Sequence, residues 1–231
     1  MRRPTPTLTA ASGAALLAAG LLPATASGAT APASVREGSV GAAELLAKVK
    51  TCRQISAGRY RTDQGASATV PVCGTSSAVF WTADMDIDCD GQRTTHCNEM
   101  RDPWFRNDTA FHQSDGRPLK AETLPYVVVP SASSIWNHTG AGIKGGGVAA
   151  VVHGGKVAYA VVGDTGPTNI IGEASYATAK ALGINPDPAT GGADSGVTYI
   201  LFKNSKASPI ESHSAAVTLG QKLARQFVTG G

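Results

Sequence analysis

The sequence predicts a mainly β protein: a β-barrel with a few flanking helices. Three observations point there. Between residues 69 and 202, short apolar or alternating runs recur at 69–72, 78–82, 126–129, 148–152, 156–162 and 197–202, each bounded by Gly, Pro, Asn or Asp. Two of these runs are joined through His153-Gly154-Gly155-Lys156, the composition of a tight hairpin turn. Helical periodicity is confined to three segments, and strands do not alternate with helices as a βαβ repeat requires.

In chain order, residues 1–31 read as a secretory signal peptide that is removed. Arg2 and Arg3 give a positive start, residues 14–22 an apolar run too short to cross a bilayer, and small residues at 24–26 or 29–31 a cleavage site. Residues 32–231 then form one domain, with no later run able to span a membrane. Leu45, Leu46, Val49 and Cys52 recur at helical spacing, so a short amphipathic helix is predicted over residues 42–52. The strands follow it. After Glu173, the residues Ala174, Ala177, Ala181 and Leu182 fall on one helical face, with Gly183 at the stop and Pro186 beyond, so Glu173 is expected in a first helical turn. Ser208-Pro209-Ile210-Glu211 reads as the capped start of a final helix packed through Ala216, Leu219, Leu223 and Phe227.

The formal charge of +3 falls to +1 without Arg2 and Arg3. That leaves no basic surplus for a nucleic-acid partner. Four cysteines, Cys52, Cys73, Cys89 and Cys97, make an even count in an exported chain, where disulfides persist. Of three possible pairings, Cys52 with Cys73 and Cys89 with Cys97 are preferred because both close short loops; the other two stay open. No pair has the C-x-x-C spacing of a zinc site, and the five histidines show no H-E-x-x-H pattern, so no metal and no cofactor is assigned.

Two stretches carry candidate chemistry. In Gly163-Asp164-Thr165-Gly166-Pro167, followed by Ile171-Gly172-Glu173-Ala174-Ser175, two carboxylates stand nine positions apart with a Gly-Pro turn between them. In Trp81-Thr82-Ala83-Asp84-Met85-Asp86-Ile87-Asp88-Cys89-Asp90-Gly91, an extended backbone puts Asp84, Asp86, Asp88 and Asp90 on one face and Met85, Ile87 and Cys89 on the other. Four like charges in a row cost folding free energy, which a cationic ligand would offset. Asp86 to Gly91 also opens like a calcium loop, yet the position that needs a bidentate Glu is Cys97.

Taken together, these two stretches resemble the chitosanases of glycoside hydrolase family 75, over roughly residues 80–202. The resemblance implies secreted endo-hydrolysis of β-1,4 linkages between glucosamine units of chitosan with inversion. The catalytic domain is expected at 32–231, extracellular, acting as a monomer away from membranes. It implies that the essential Asp and Glu of the family fall on Asp164 and Glu173. The run into Asp164-Thr165-Gly166 is also similar to the double-psi β-barrel of several polysaccharide-cleaving proteins, so a double-psi-like core is one form the barrel could take.

Inverting hydrolysis needs one protonated carboxyl group to protonate the leaving oxygen and one carboxylate to activate water, about 6.5 to 9.5 Å apart. The apolar run before Asp164 favours its protonated form, and a helical first turn favours ionised Glu173, so Asp164 is expected to donate and Glu173 to activate water; the reverse stays open. Asp84, Asp86, Asp88, Asp90 and Asp194 are expected to bind the ammonium groups of chitosan or glucosamine oligomers, with Trp81 as a ring face for sugar and Trp104, Tyr126 and Trp136 as further aromatic candidates. Competing readings are a non-catalytic chitosan-binding module, a calcium-stabilised extracellular module, and a double-psi barrel enzyme acting on peptidoglycan. Gly140-Ala141-Gly142-Ile143-Lys144-Gly145 fits G-x-G-x-x-G but precedes a strand rather than a helix, and is read as a loop.

Overall fold

The computed structural model describes residues 38–230, so the expected signal peptide lies outside the described residues. The element order is α1 (Ala42–Lys48), β1 (Cys73–Gly74), β2 (Ala78–Asp88), β3 (Tyr126–Pro130), β4 (Val148–His153), β5 (Lys156–Gly166), β6 (Glu173–Ser175), α2 (Tyr176–Leu182), β7 (Ala193–Phe202) and α3 (His213–Thr229). Strands run side by side as β2, β6, β3, β5, β4, β7, and β7 pairs back to β2. The result is a closed six-stranded barrel, and closure leaves these strands no free edge. The β2–β6 and β3–β5 pairings are parallel and the rest of the ring antiparallel.

Alternation along the strands divides the apolar residues into two clusters. One contains Val79, Trp81, Val127, Val151, Ala160, Val162, Ala174, Val197 and Tyr199; it draws on all six barrel strands and is therefore the barrel interior. The other collects the opposite faces, including Phe80, Tyr126, Tyr159 and Phe202, under Leu45 of α1 and Ala216, Ala224 and Phe227 of α3. Helix α3 lies close on β5 because Gly220 has no side chain: a Cβ there would stand 2.3 Å from a ring carbon of Tyr159.

The hairpin between β4 and β5 turns at Gly154 and Gly155, with φ of 54° and 79°, the double left-handed geometry that the Gly-Gly pair permits. Disulfides join Cys52 to Cys73 and Cys89 to Cys97, the two local pairings preferred from the sequence. Three expected boundaries shift. Residues 69–72 make only an isolated bridge, Val70 with Tyr60, instead of a strand. Helix α1 stops at Lys48, and the chain turns away to carry Cys52 to its disulfide. Helix α3 starts at His213 with Ser212 as its cap, because the Glu211 carboxylate is taken by the backbone and hydroxyl of Ser114 instead of closing a capping box.

Candidate active site

A bulge brings Asp164 to the surface of the barrel. Val127 stands opposite Val162 but Val128 stands opposite Asp164, so β5 carries one extra residue, Gly163, at this point. Only glycine fits, since a Cβ would come within 2.6 Å of Tyr126 side-chain carbons. Ala158, Ala160 and Val162 point inward; past the bulge the alternation is reset, and Asp164 shares the outer face with Val128.

Glu173 reaches that face from the other side. Ala174 faces the interior and pairs with Val127 in antiparallel register, which sets Glu173 opposite Val128. Glu173 also pairs with Asp86 in parallel register. One row therefore crosses four strands in the order Asp86, Glu173, Val128, Asp164. Two strand spacings separate the backbones of Glu173 and Asp164, about 10 Å, with the apolar Val128 between them. The Glu173 carboxylate leans toward β5: a Cβ on Gly166 would sit 2.5 Å from its Oε2.

The position of Glu173 corrects one expectation. It lies in β6, not in a helical first turn; Ser175 caps α2 by accepting a hydrogen bond from the Thr178 N–H, and the first turn of α2 holds no acidic residue. No helix terminus favours its ionised form. Burial instead raises its pKa to about 7, with the charges of Asp86, Asp164 and Asp90 pushing the same way. Burial also raises Asp164, but two backbone N–H groups oppose it: Ala110 at 2.8 Å and Thr165 at 2.7 Å, both to Oδ1, with the Arg106 charge assisting. The two carboxyl groups are thus unequal, and the proton has its better home on Glu173.

The acidic stretch divides into two groups. Asp88 and Asp90 bring carboxylate oxygens within 4.8 Å of Asp164, while Asp84 and Asp86 do the same with Asp63. Burial, then the charges of Asp164, Asp90 and Glu173, raises Asp88 well above the carboxylate range; burial takes Asp90 to about 6 against the N–H and charge of Arg106. The Tyr126 hydroxyl stands among Asp88, Asp90 and Asp164 and donates to the Asp90 carbonyl at 3.0 Å. The calcium-loop reading does not match: Asp86 and Asp88 are strand residues, and Cys97, where the bidentate Glu would stand, is bonded to Cys89.

Other candidates fall elsewhere. Trp81 is 1% exposed, in the interior between Tyr199 and Trp136, so it offers no face to a sugar; its ring was needed to fill the barrel. Trp136 is likewise buried. Asp194 is exposed at the start of β7 and joins neither carboxylate group. Trp104, by contrast, is 87% exposed, two residues before Arg106, whose N–H donates to Asp90 Oδ1 at 2.6 Å. Sequence reasoning missed Asp63, Arg106, Val128 and the Ala110 N–H. Asp63 and Arg106 sit in loops with no periodicity, and the other two act through position alone.

The profile of the fungal chitosanases of glycosyl hydrolase group 75 matches residues 85–227. The chain is 31% identical over 137 residues to an endo-chitosanase C of Aspergillus oryzae, covering 57% of this chain and 33% of that protein. It is 34% identical over 137 residues to an endo-chitosanase B of Aspergillus oryzae (strain ATCC 42149 / RIB 40), covering 56% of this chain and 57% of that one. It therefore spans between a third and just over half of the length of these relatives. The matched region begins inside β2 and ends near the close of α3, so it contains the whole carboxylate row, and the chain belongs to the group 75 glycosyl hydrolases.

Proposed function

We propose that this protein is a secreted endo-chitosanase that cleaves β-1,4 linkages between glucosamine units with inversion, Glu173 protonating the leaving oxygen and Asp164 activating water. The single observation that carries the reading is the row itself. Glu173 and Asp164 share one outer face on either side of Val128, their backbones about 10 Å apart, which is the scale that inverting hydrolysis uses.

The assignment of roles follows from the surroundings and reverses the one drawn from the sequence. A donor must hold its proton near neutral pH, and a pKa of about 7 suits Glu173 for that. A base must be ionised, and the N–H groups of Ala110 and Thr165 favour that state in Asp164. Both groups work at an apolar floor, Val128, which competes for neither proton nor water.

The carboxylates of β2 form an anionic track for a polymer that carries an ammonium on most rings, held by charge-assisted hydrogen bonds. The family and the names of the relatives support this substrate. Two disulfides suit an oxidising, extracellular setting, and no helix of the described residues is long and apolar enough to cross a membrane. A single chain carries the whole row, so a monomer suffices to build the site. NMR of chitosan digestion tests activity and stereochemistry together: the first product should appear as the inverted α-anomer, and a β-anomer or no new reducing end would refute the mechanism.

A further inference from the structure

Asp63, Asp84 and Asp86 neither give nor take the transferred protons, yet one carboxylate oxygen from each lies within 4.8 Å of the others. Asp63 comes from the loop after Tyr60, and the other two from β2. The ion pairs among the described residues leave all three out. Such crowding alone says little, because exposed acidic groups gather on many surfaces. Asp84 is different: it is 6% exposed, and its Oδ1 is buried with no hydrogen-bond partner. A buried polar atom left unpaired is costly and calls for an explanation, and a ligand held at the cluster supplies one. The neighbouring backbone makes room for it, since a Cβ on Gly172 would stand 2.0 Å from that oxygen.

The closeness of the three carboxylates suits a compact cation with several donors. A primary ammonium has three N–H donors in tetrahedral array, and at hydrogen-bond length their acceptors stand about 4.6 Å apart. Three oxygens, none more than 4.8 Å from another, are close enough to accept from one such group together. A calcium ion would ask for six to eight oxygens, so it would need every oxygen of the three carboxylates or several backbone and water ligands besides. Burial and mutual repulsion hold Asp84 at about 7, and burial and Asp63 hold Asp86 at about 6, as expected of anions that lack a counter-charge.

We propose that Asp63, Asp84 and Asp86 form a receptor for the ammonium group of one glucosamine unit, the unit nearest Glu173, and that this receptor makes a free amine at that position a requirement for cleavage. The inference rests on the chitosanase reading above and deepens it. Asp86 is the register partner of Glu173, so the sugar held here is a neighbour of the bond being broken. An N-acetyl group at the same place presents one N–H and a bulky carbonyl, and leaves two carboxylates unsatisfied.

Asp63 is exposed, so Asp63→Asn leaves the fold intact and serves as the test. Partially acetylated chitosan is digested by both proteins, and the products are sequenced from each end. Wild type should leave one of the two new chain ends uniformly unacetylated, and Asp63→Asn should admit acetylated units there while raising KM for fully deacetylated oligomers about tenfold or more, the scale of a lost charged hydrogen bond. Indifferent ends in wild type, or identical ends and KM in the two proteins, would overturn the receptor and leave the chitosanase reading standing. No cleavage by wild type would remove that reading itself. A binding readout keeps the two apart: in a Glu173→Gln background, Asp63→Asn should weaken a glucosamine tetramer about tenfold and leave an N-acetylglucosamine tetramer unchanged. Calcium binding that Asp63→Asn abolishes, with no preference between the two tetramers, would make the cluster a metal site and refute the proposal.

Discussion

The two ends of the carboxylate row are built from the same residue types and face opposite demands. At one end, Asp164 receives two backbone N–H groups and lies near Arg106. At the other, Glu173 has Asp86 as its register partner, and nothing in its surroundings lowers its pKa. Both are desolvated, so burial alone cannot separate them. Like charges press on both, from Asp108 on Asp164 and from Asp86 on Glu173; what separates them is hydrogen bonding to the charged form, which acts on Asp164. A barrel wall can thus set two carboxyl groups to different tasks within two strand spacings, using a bulge to aim one and strand register to aim the other.

The largest effect expected from breaking this contrast is on turnover. Asp164→Asn and Glu173→Gln should each lower kcat on chitosan by about 10² to 10⁴, the usual range for a positioned acid or base, with circular dichroism and Tm close to wild type. The two losses should differ in kind. Small anions such as azide or formate should restore part of the Asp164→Asn rate by replacing the water-activating carboxylate, and none of the Glu173→Gln rate. Rescue of Glu173→Gln alone would invert the two roles.

A smaller loss should follow from moving one group without removing it. Gly166→Ala sets a methyl group 2.5 Å from where Glu173 Oε2 now lies, and the free end of that side chain is what must yield. The fold should tolerate the change, because the clash is with a flexible carboxylate rather than backbone. A shift of about 1 Å in a catalytic group costs on the order of 10² in rate, so kcat should fall by that scale with Tm little altered. Unchanged turnover would show that the carboxylate need not lean over Gly166.

These variants also mark how far the sequence could be read. The barrel was legible because short apolar or alternating runs such as 78–82 and 156–162 are bounded by turn residues and the Gly154-Gly155 turn joins 148–153 to 156–166, and the disulfides because short loops cost least to close. The placement of Glu173 was not. Ala174, Ala177 and Leu182 show helical spacing, but Ser175 is the better cap, since its hydroxyl takes the Thr178 N–H while Glu173 stays in the sheet. The inequality of the two carboxyl groups was hidden for the same reason: the Ala110 N–H comes from 54 positions away, and no local pattern announces it. Trp81 shows the reverse case, where an aromatic beside acidic residues suggested a sugar platform and barrel closure claimed the ring.

The pH profile should sharpen the contrast further. Glu173 must be protonated to act, so kcat/KM should fall as pH rises through about 7, tenfold for each unit beyond. The Asp86 charge helps raise that pKa, and removing it lowers the value. In Asp86→Asn the alkaline limb should therefore move to lower pH, while the acid limb, set by protonation of Asp164, should move less. A limb that stays fixed in Asp86→Asn would mean that desolvation alone sets the proton affinity of Glu173.

The smallest effect is expected at the rim. Trp104 is 87% exposed on the loop that ends at Arg106, where the backbone N–H of Arg106 holds Asp90. A large exposed ring beside an anionic track suits a sugar face or a passing ammonium, and such contacts at open sites are worth about 0.5–1 kcal/mol. Trp104→Ala should therefore raise KM for chitosan by roughly two- to fivefold and leave kcat and the alkaline limb unchanged, because the ring lies outside the row that performs the chemistry. An equal fall in kcat would draw Trp104 into the transition state. That outcome would make the Asp164 end a site that grips the sugar ring as well as one that activates water.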